Sequence, residues 1–208
     1  MFQLAHDMEG PFQMSSPPTS GEPRRRADAV RNRQRVLEAT RTLLADRSAN
    51  LTVEAIATKA GVGAATVVRS FGSKVALIDV AVADLLEPVI RRARDGLSEN
   101  SAQDALRRFL IELIAFQSGH WIISEQLTDL DLPSTTAQRA ALTKAVTEMV
   151  NRARDDGAIR TDIDPGVTMD LIRDMTNAIA RSPSASPHLA ESYVSVLMDG
   201  LRPQQPRA

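Results

Sequence analysis

The chain has 208 residues, of which 43% are hydrophobic, 25% are charged and 3% are aromatic. These proportions are typical of a soluble globular protein and exclude collagen-like and wholly disordered chains. The absence of cysteine excludes disulfide scaffolds, thiolate metal sites and thiol nucleophiles. No apolar run approaches the roughly 18 residues of a membrane helix, and the N-terminus does not resemble a signal peptide, so we expect a cytoplasmic protein with no membrane partner.

Positive charge is concentrated in residues 24–74. This segment contains 11 lysines and arginines and 4 acidic residues, a net charge of +7, whereas the residues before it sum to −3 and those after it to −5. A basic segment joined to an acidic remainder suggests a surface for a polyanion beside a domain with a different task. The alternative is a solvated basic face without a partner.

The first elements in chain order are a tail and a helix. Residues 1–26 are predicted to be a disordered tail, because the prolines, serines and glycines in them show no apolar period. A first helix is predicted from about Ala27 to Asp46, since apolar residues such as Val36 and Leu44 recur on one face.

Two short helices are predicted next. Thr52 offers an N-cap oxygen to the first of them, and Gly61 ends it. The second spans Ala64–Phe71 and is broken at Gly72. Two short helices that are joined by a glycine-containing turn and preceded by a bracing helix form a helix-turn-helix.

The rest of the chain is also predicted to be helical. Its elements are expected in this order: a long helix capped by Ser73, a helix at 102–116, an irregular piece at 119–127, a helix at 133–156, one that starts at Asp164-Pro165 and one at 189–201. No alternating apolar pattern predicts a strand. We therefore expect an all-α protein of about nine helices.

Four short segments of the helix-turn-helix region occur in a characteristic order and spacing: TVEAIA (52–57), AGV (60–62), TVVRSF (66–71) and SK (73–74). In this order and spacing the chain resembles the N-terminal motif of the TetR family of bacterial transcription regulators. The sequence GAIRTDIDP (157–165) is also similar to a signature that precedes the penultimate helix of that family.

The resemblance implies two domains. A helix-turn-helix DNA-binding domain would span 27–80, and a ligand-binding and dimerisation domain would span 81–202, with tails at 1–26 and 203–208. The implied function is that of a homodimeric transcriptional regulator, a repressor that a small-molecule effector releases from a palindromic DNA operator. No cofactor, metal or catalytic residue is implied.

The third helix is predicted to present one face to DNA. At about 100° per residue, Ala64, Val67 and Phe71 point toward the first two helices. The opposite face is expected to meet base edges and phosphates in the major groove, and it carries Ala65, Thr66, Val68 and Arg69. Arg69 suits the bidentate hydrogen bond to guanine. The alternative is a solvated surface arginine.

Further polar residues are predicted to contact DNA phosphates. Lys74 lies in the first turn of a helix, where a cation opposes the macrodipole unless an anion binds there; the alternative is an exposed lysine at a tolerated position. Thr52 could both cap the second helix and contact a phosphate. Arg24, Arg25 and Arg26 could form an arm along the backbone or into the minor groove, or simply a basic linker.

The acidic C-terminal half is predicted to hold a ligand pocket. Pockets are mostly apolar with a few polar groups, and the residues around the fifth helix fit this description. With residues of the facing helices, the candidates are Phe109, Leu113, Phe116, Gln117, His120, Trp121, Met149, Ile172 and Met175. The alternative for each is a place in the ordinary core.

The last two predicted helices are expected to form a two-fold dimer interface. Two DNA-binding heads spaced one turn of DNA apart double the contacts, so a dimer follows from the function as well as from the resemblance. The interface candidates are Leu171, Ile179, Tyr193, Val196 and Leu197. The alternative is that these side chains belong to a monomeric core.

Two other functions are left open. An all-α enzyme would be limited to carboxylate chemistry, because the sequence has no His-x-x-x-His or Gly-x-Ser-x-Gly motif, and acid pairs such as Asp162/Asp164 resemble helix caps. A helical interaction module could use the basic segment to bind a protein or a membrane. Steeply salt-dependent, sequence-specific retention of DNA would distinguish a regulator from such a module.

Overall fold

The structure is a computed structural model, and it describes residues 22–46, 48–120, 123, 127, 130–182 and 184–203. Those residues form eight α-helices and no strand: α1 (Glu22–Leu44), α2 (Val53–Ala60), α3 (Ala64–Phe71), α4 (Lys74–Gly96), α5 (Ala102–Gly119), α6 (Pro133–Asp155), α7 (Pro165–Arg181) and α8 (Pro187–Gly200). The predicted all-α class is confirmed. Most of the N-terminal tail and of the irregular piece at 119–127 lies outside the described residues.

The first helix begins earlier than the sequence predicts. α1 starts at Glu22, so residues 22–26, which we predicted as the end of a tail, form its first turns. A proline in the first helical turn is tolerated because its missing N–H has no partner there, and the arginines that follow are good helix formers. Residues 24–30 of α1 are all exposed, with Val30 at 68%. Because this part of the helix packs little, its sequence shows no apolar period.

The short helices are bounded as their sequences predict. The Thr52 hydroxyl oxygen accepts the N–H of Ala55 at 3.1 Å, and the Ser73 hydroxyl oxygen accepts that of Ala76 at 3.0 Å, so each side chain caps the helix that follows it. Gly61 ends α2 with a φ of 65°, a left-handed conformation that glycine adopts without strain. Gly61 therefore sets the turn between α2 and α3.

Two apolar clusters hold the helices together. One cluster joins α1 to α4 around side chains such as Val36, Ile56 and Leu77. The other joins α5 to α8 and is built mainly from aliphatic side chains such as Leu106 and Leu110. Because α4 contributes residues to both clusters and packs along α6, it connects the helix-turn-helix to the C-terminal helices.

Within the described ranges, none of the helices combines the length and the hydrophobicity that crossing a bilayer requires.

Candidate nucleic-acid interface and effector cavity

The outward face of α3 carries the side chains that we predicted to meet DNA. Val67 is 1% exposed and anchors the opposite face in the core, whereas Val68 and Arg69 are exposed. Arg69 does not fold inward: its Nη2 donates to the hydroxyl oxygen of Thr66 at 3.3 Å. Ala65 is exposed beside them. This face therefore presents a cation, a hydroxyl group and two small apolar groups to the solvent.

The structure corrects one residue of the packing face. Ala64 is exposed, although we predicted it to pack with Val67 and Phe71. It is the first residue of α3, directly after the N-cap Gly63, and Val67, one turn later, is the buried residue of this helix. Phe71 is half-buried and packs against the N-terminal cluster as predicted.

Arg33 on α1 holds the C-terminal end of α3, a contact that the sequence did not predict. Its guanidinium carbon lies 3.9 Å from the centroid of the Phe71 ring, and its Nη1 donates to the carbonyl oxygen of Ser70. The last carbonyls of a helix lack partners within the helix, so this donor stabilises the end of α3. Arg33 therefore fixes α3 against α1.

The arginines before the helix-turn-helix lie on a helix and not in an extended arm. Arg24, Arg25 and Arg26 are exposed on the first turns of α1, which corrects the predicted arm. Arg25 lines a groove between α1 and α3 that Thr66 and Arg69 also line. The helical conformation places positive charge beside the outward face of α3, but it does not extend as far as a flexible arm would.

The two predicted phosphate contacts lie at helix N-termini. Thr52 is exposed and uses its oxygen to cap α2, which leaves its hydroxyl hydrogen able to donate outward. Lys74 is exposed in the first turn of α4, directly after the cap Ser73. The N-terminal end of α4 thus combines free backbone N–H groups with a nearby lysine, and both favour an anion.

A cavity of about 440 Å³ lies between α4, α5, α6 and α7. Among the predicted pocket residues, it is lined by Leu113, Phe116, Gln117, His120 and Ile172. On α5 these lining positions follow the spacing i, i+3, i+4 and i+7, which is one helical face. Trp121 lies outside the described residues.

Three predicted pocket residues do not line the cavity. Phe109 is 2% exposed and lies one turn before the lining face of α5, inside the C-terminal cluster. Met149 is buried against the end of α4, where its Cε fills the space beside Gly96. Met175 lies off the lining face of α7 and packs on the same cluster. Each belongs to the core, which was the alternative for these residues.

The cavity residues of α6 and most of those of α7 were not predicted from the sequence. On α6 the lining residues are Arg139, Leu142, Thr143 and Val146, and on α7 they are Met169, Ile172, Arg173, Thr176, Asn177, Ala180 and Arg181. Both sets have helical spacing, but about half of their members are polar. A search for apolar periodicity therefore does not detect these faces.

His120 ends α5 at the edge of the cavity. Its Nδ1 lies 2.9 Å from the carbonyl oxygen of Phe116, and the two rings stack with centroids 4.6 Å apart. Because a carbonyl oxygen only accepts, Nδ1 carries the hydrogen of this bond, which leaves Nε2 as the second polar atom of the ring. The backbone bond and the stacking fix the orientation of the imidazole.

The exposed apolar residues of α7 and α8 differ partly from the predicted interface. Leu171 and Tyr193 are each 49% exposed and Val196 is 73% exposed, and Val167, which we did not predict, is 57% exposed. Two predicted interface residues are buried instead, Ile179 at 4% and Leu197 at 7%. Ile179 is eight residues from Leu171 and therefore points about 80° away from it around α7. Leu197 follows Val196 and points about 100° away from it around α8. Both side chains thus lie in the core of the single chain.

The acidic residues before α7 have structural roles. An Asp164 carboxylate oxygen accepts the N–H groups of Gly166 at 2.7 Å and of Val167 at 3.3 Å, which caps α7. A hydrogen bond from Arg160 lowers the pKa of Asp162. Among the described residues, no group of three or more histidine, aspartate or glutamate side chains could hold a metal ion.

Both halves of the chain match families of transcription regulators. Residues 36–81 match a family model described as bacterial regulatory proteins of the tetR family, and residues 101–203 match one described as the C-terminal domain of SbtR-like transcriptional regulators. A comparison with curated proteins finds no similar sequence.

Solved structures with the same fold include three regulators. A TetR transcription regulatory protein from Mycobacterium vanbaalenii is 30% identical, with a TM-score of 0.61 over 85% of this chain and 98% of that one. The regulator SCO0520 from Streptomyces coelicolor is 25% identical, with a TM-score of 0.61 over 83% and 99%. PfmR from Thermus thermophilus shares the fold at 19% identity, with a TM-score of 0.65 over 80% and 98%. The helix-turn-helix geometry, the two domain matches and the first of these relatives together place the chain in the TetR family of bacterial transcription regulators.

Proposed function

We propose that the chain represses transcription as a homodimer that binds a palindromic operator through α3 and releases it when a small molecule occupies the cavity. The observation that carries this proposal is the outward face of α3. Arg69 and Thr66 are hydrogen-bonded to each other on that face, and Val67 anchors the same helix in the core. A helix that recognises base edges in the major groove needs a fixed position and polar side chains on its outward face.

The residues of this face would have different tasks. Arg69 would form the bidentate hydrogen bond to guanine, and the methyl groups of Ala65 and Val68 would contact thymine. Thr66 would bond a base edge or a phosphate. These contacts specify sequence only when the register of the protein on the duplex is fixed.

Phosphate contacts would fix that register. Thr52 and Lys74 lie at the N-terminal ends of α2 and α4, and the α1 arginines Arg24, Arg25 and Arg26 extend the positive surface beside α3. Such contacts carry no sequence information, but they supply most of the salt-dependent affinity.

Dimerisation would use the exposed apolar face of α7 and α8. Val167 and Leu171 on α7, with Tyr193 and Val196 on α8, are the large apolar side chains exposed on these two helices. In a two-fold interface both protomers use the same surface, so this exposed face of one protomer would pack against the same face of the other. Two heads would then reach half-sites about 34–36 Å apart.

The effector would act through α4. This helix begins at Lys74, next to the DNA-binding face, and its Leu86 lines the cavity twelve residues later. The two DNA-binding domains of the dimer would be separated by different distances in different placements of α4. A ligand that binds one placement more tightly shifts the equilibrium toward it, and the shift cannot exceed the difference in the two affinities.

Selection of bound fragments from random duplex DNA tests the proposal. The purified chain is expected to enrich a palindromic sequence whose half-sites are one helical turn apart, which would show DNA binding and two-fold symmetry together. Enrichment of no sequence, with retention that depends only on salt, would instead support the helical interaction module.

A further inference from the structure

We propose that the effector is an amphipathic organic acid that carries a hydroxyl group on its apolar part. This inference rests on the proposed function, because it names the kind of molecule that the cavity of the regulator would bind. Three features of the cavity support it: the charge at its opening, the aliphatic character of its wall and a buried amide oxygen.

The charge at the opening is positive. Among the described lining residues, the permanently charged side chains are those of Arg139, Arg173 and Arg181, and no aspartate or glutamate lines the cavity. All three arginines are exposed, so they border the part of the cavity that meets the solvent. Guanidinium groups match the planar geometry of a carboxylate and bind it in a bidentate manner.

The present partners of two of these arginines are weak enough to exchange. Arg173 pairs with Asp170 at 2.7 Å and with Asp174 at 3.4 Å, both on its own helix and both exposed. Arg139 donates to the carbonyl oxygen of Ile123 at 3.5 Å, a long hydrogen bond. Exposed ion pairs within one helix contribute little to stability, so an entering carboxylate would replace them at small cost.

Behind this opening most of the lining side chains are apolar, and the other polar ones are those of Gln117, His120, Thr143, Thr176 and Asn177. The aliphatic and aromatic side chains come from all four helices around the cavity and include Leu86, Leu113, Phe116, Leu142, Val146 and Ile172. A volume of about 440 Å³ lies within the range of cavities that enclose drug-sized ligands. The ligand therefore has an apolar part of comparable size behind its acid group.

A buried polar atom specifies one more group on the ligand. The Oε1 atom of Gln117 is buried and has no hydrogen-bond partner within the described ranges of the chain, and Gln117 lines the cavity. Buried polar atoms are almost always paired, so a donor group on the ligand would complete the hydrogen bonding of this atom. A hydroxyl group suits a side-chain amide because it both donates and accepts.

The positive opening and the buried amide oxygen set the orientation of the ligand. The arginines are exposed and the Gln117 oxygen is buried, so the acid group would face the opening and the hydroxyl group would lie inside. A molecule with both groups at the two ends of an apolar chain meets these requirements.

Calorimetry with the full chain and four probes of equal chain length tests the inference. The probes are ω-hydroxydecanoate, decanoate, decanediol and decylamine, each below its micelle concentration. We expect ω-hydroxydecanoate to bind most tightly, decanoate several-fold more weakly, and decanediol and decylamine at least about tenfold more weakly. Equal or tighter binding of decylamine or decanediol, or no saturable binding of either acid, would overturn the inference.

Variants then test the residues. The double variant Arg139→Gln and Arg173→Gln is expected to weaken ω-hydroxydecanoate about tenfold and to leave decanediol unchanged. Gln117→Leu is expected to remove the preference for ω-hydroxydecanoate over decanoate. Lys144→Gln, at an exposed residue of α6 outside the cavity, controls for the loss of positive charge elsewhere on the same helix and is expected to leave binding of all four probes unchanged. Equal weakening of acid and diol by the double variant would show that the arginines act on the fold and not on the acid group.

The two proposals fail separately. Calorimetry is done without DNA, so it reports on the cavity even if no operator is selected. Conversely, selection of a palindromic operator without binding of either acid leaves the regulator in place and overturns only the proposed ligand class.

Discussion

The carboxylate of Asp79 on α4 accepts the backbone N–H of Thr135 on α6 at 2.7 Å. Its other oxygen accepts the N–H of Ser134 at 3.0 Å, and the Thr135 hydroxyl group donates to the Asp79 carbonyl oxygen at 3.3 Å. The residue before α6 is Leu132, which provides no side-chain cap. Asp79 therefore caps α6 from another helix, and it links α4, which follows the helix-turn-helix, to a helix that lines the cavity.

We predict that Asp79→Ala destabilises the protein by about 1–3 kcal/mol. The substitution leaves two N–H groups without partners at a site where Asp79 is 6% exposed and Thr135 is 1% exposed. The measurement is urea unfolding. Asp199→Ala, an exposed carboxylate that pairs with Arg202 in the next turn, serves as the control and is expected to change stability by less than about 0.5 kcal/mol. Equal effects of the two substitutions would contradict the cross-helix cap.

The contribution of Asp79 is expected to depend on pH. Burial raises the pKa of this carboxyl, but the hydrogen bonds from Thr135 and Ser134 lower it more, so the pKa lies below its ordinary value of 3.8. A group with a lowered folded pKa stabilises the fold fully above its unfolded pKa and loses that contribution as pH falls through the folded pKa.

The stability difference between the native chain and Asp79→Asn is therefore expected to be constant near neutral pH and to shrink below about pH 4. Urea unfolding at a series of pH values measures this difference. A difference that grows as the pH falls would mean that the carboxyl is held neutral in the folded protein.

Features that local sequence encodes could be predicted, whereas features that depend on which helices pack together could not. The caps Thr52, Ser73 and Asp164 act on their own helices, so local sequence predicts them. Asp79 and Arg33 act on helices that are distant in sequence, and no local pattern shows which helices become neighbours. The cavity was predicted on α5 but missed on α6, because a polar cavity face has no apolar period. Periodicity also could not separate the buried from the exposed sides of α7 and α8.

We predict that Arg69→Ala and Lys74→Ala weaken DNA binding in different ways. Loss of the Arg69 guanidinium is expected to cost about 1–3 kcal/mol for the selected operator and to relax its sequence at one base pair in each half-site. Loss of the Lys74 ammonium is expected to weaken all duplexes alike and to reduce the salt slope by about 1 for each protomer. Titrations of selected and scrambled duplexes at several salt concentrations measure both effects, with Lys144→Ala as the control. If both variants bind DNA as the native chain does, Arg69 and Lys74 do not make these contacts.

Arg33 is expected to position α3 without contacting a base. Arg33→Ala removes the cation–π contact with Phe71 and the hydrogen bond to Ser70, which we expect to cost about 1 kcal/mol of stability and to weaken DNA binding without changing the selected sequence. Arg35→Ala removes an equal charge that bonds only to Asn32 in the same helix in the described contacts, so it is the matched control. A changed base preference in Arg33→Ala would mean that Arg33 reads DNA directly.

Val196→Lys is expected to convert the dimer to a folded monomer. Val196 is 73% exposed, so a lysine fits within one chain, whereas Ile179 and Leu197 keep the core of that chain intact. In a two-fold interface each substitution occurs twice and places like charges on the facing surfaces, which is expected to raise the dimer Kd at least about a hundredfold.

Analytical ultracentrifugation measures the dimer Kd, and circular dichroism shows whether each protomer stays helical. Val30→Lys adds the same charge at a site on α1 that is 68% exposed and is expected to leave the dimer intact. A helical Val196→Lys variant that remains dimeric would place the interface elsewhere, because a buried pair of lysines cannot be tolerated at the centre of an apolar contact without a partner for each charge.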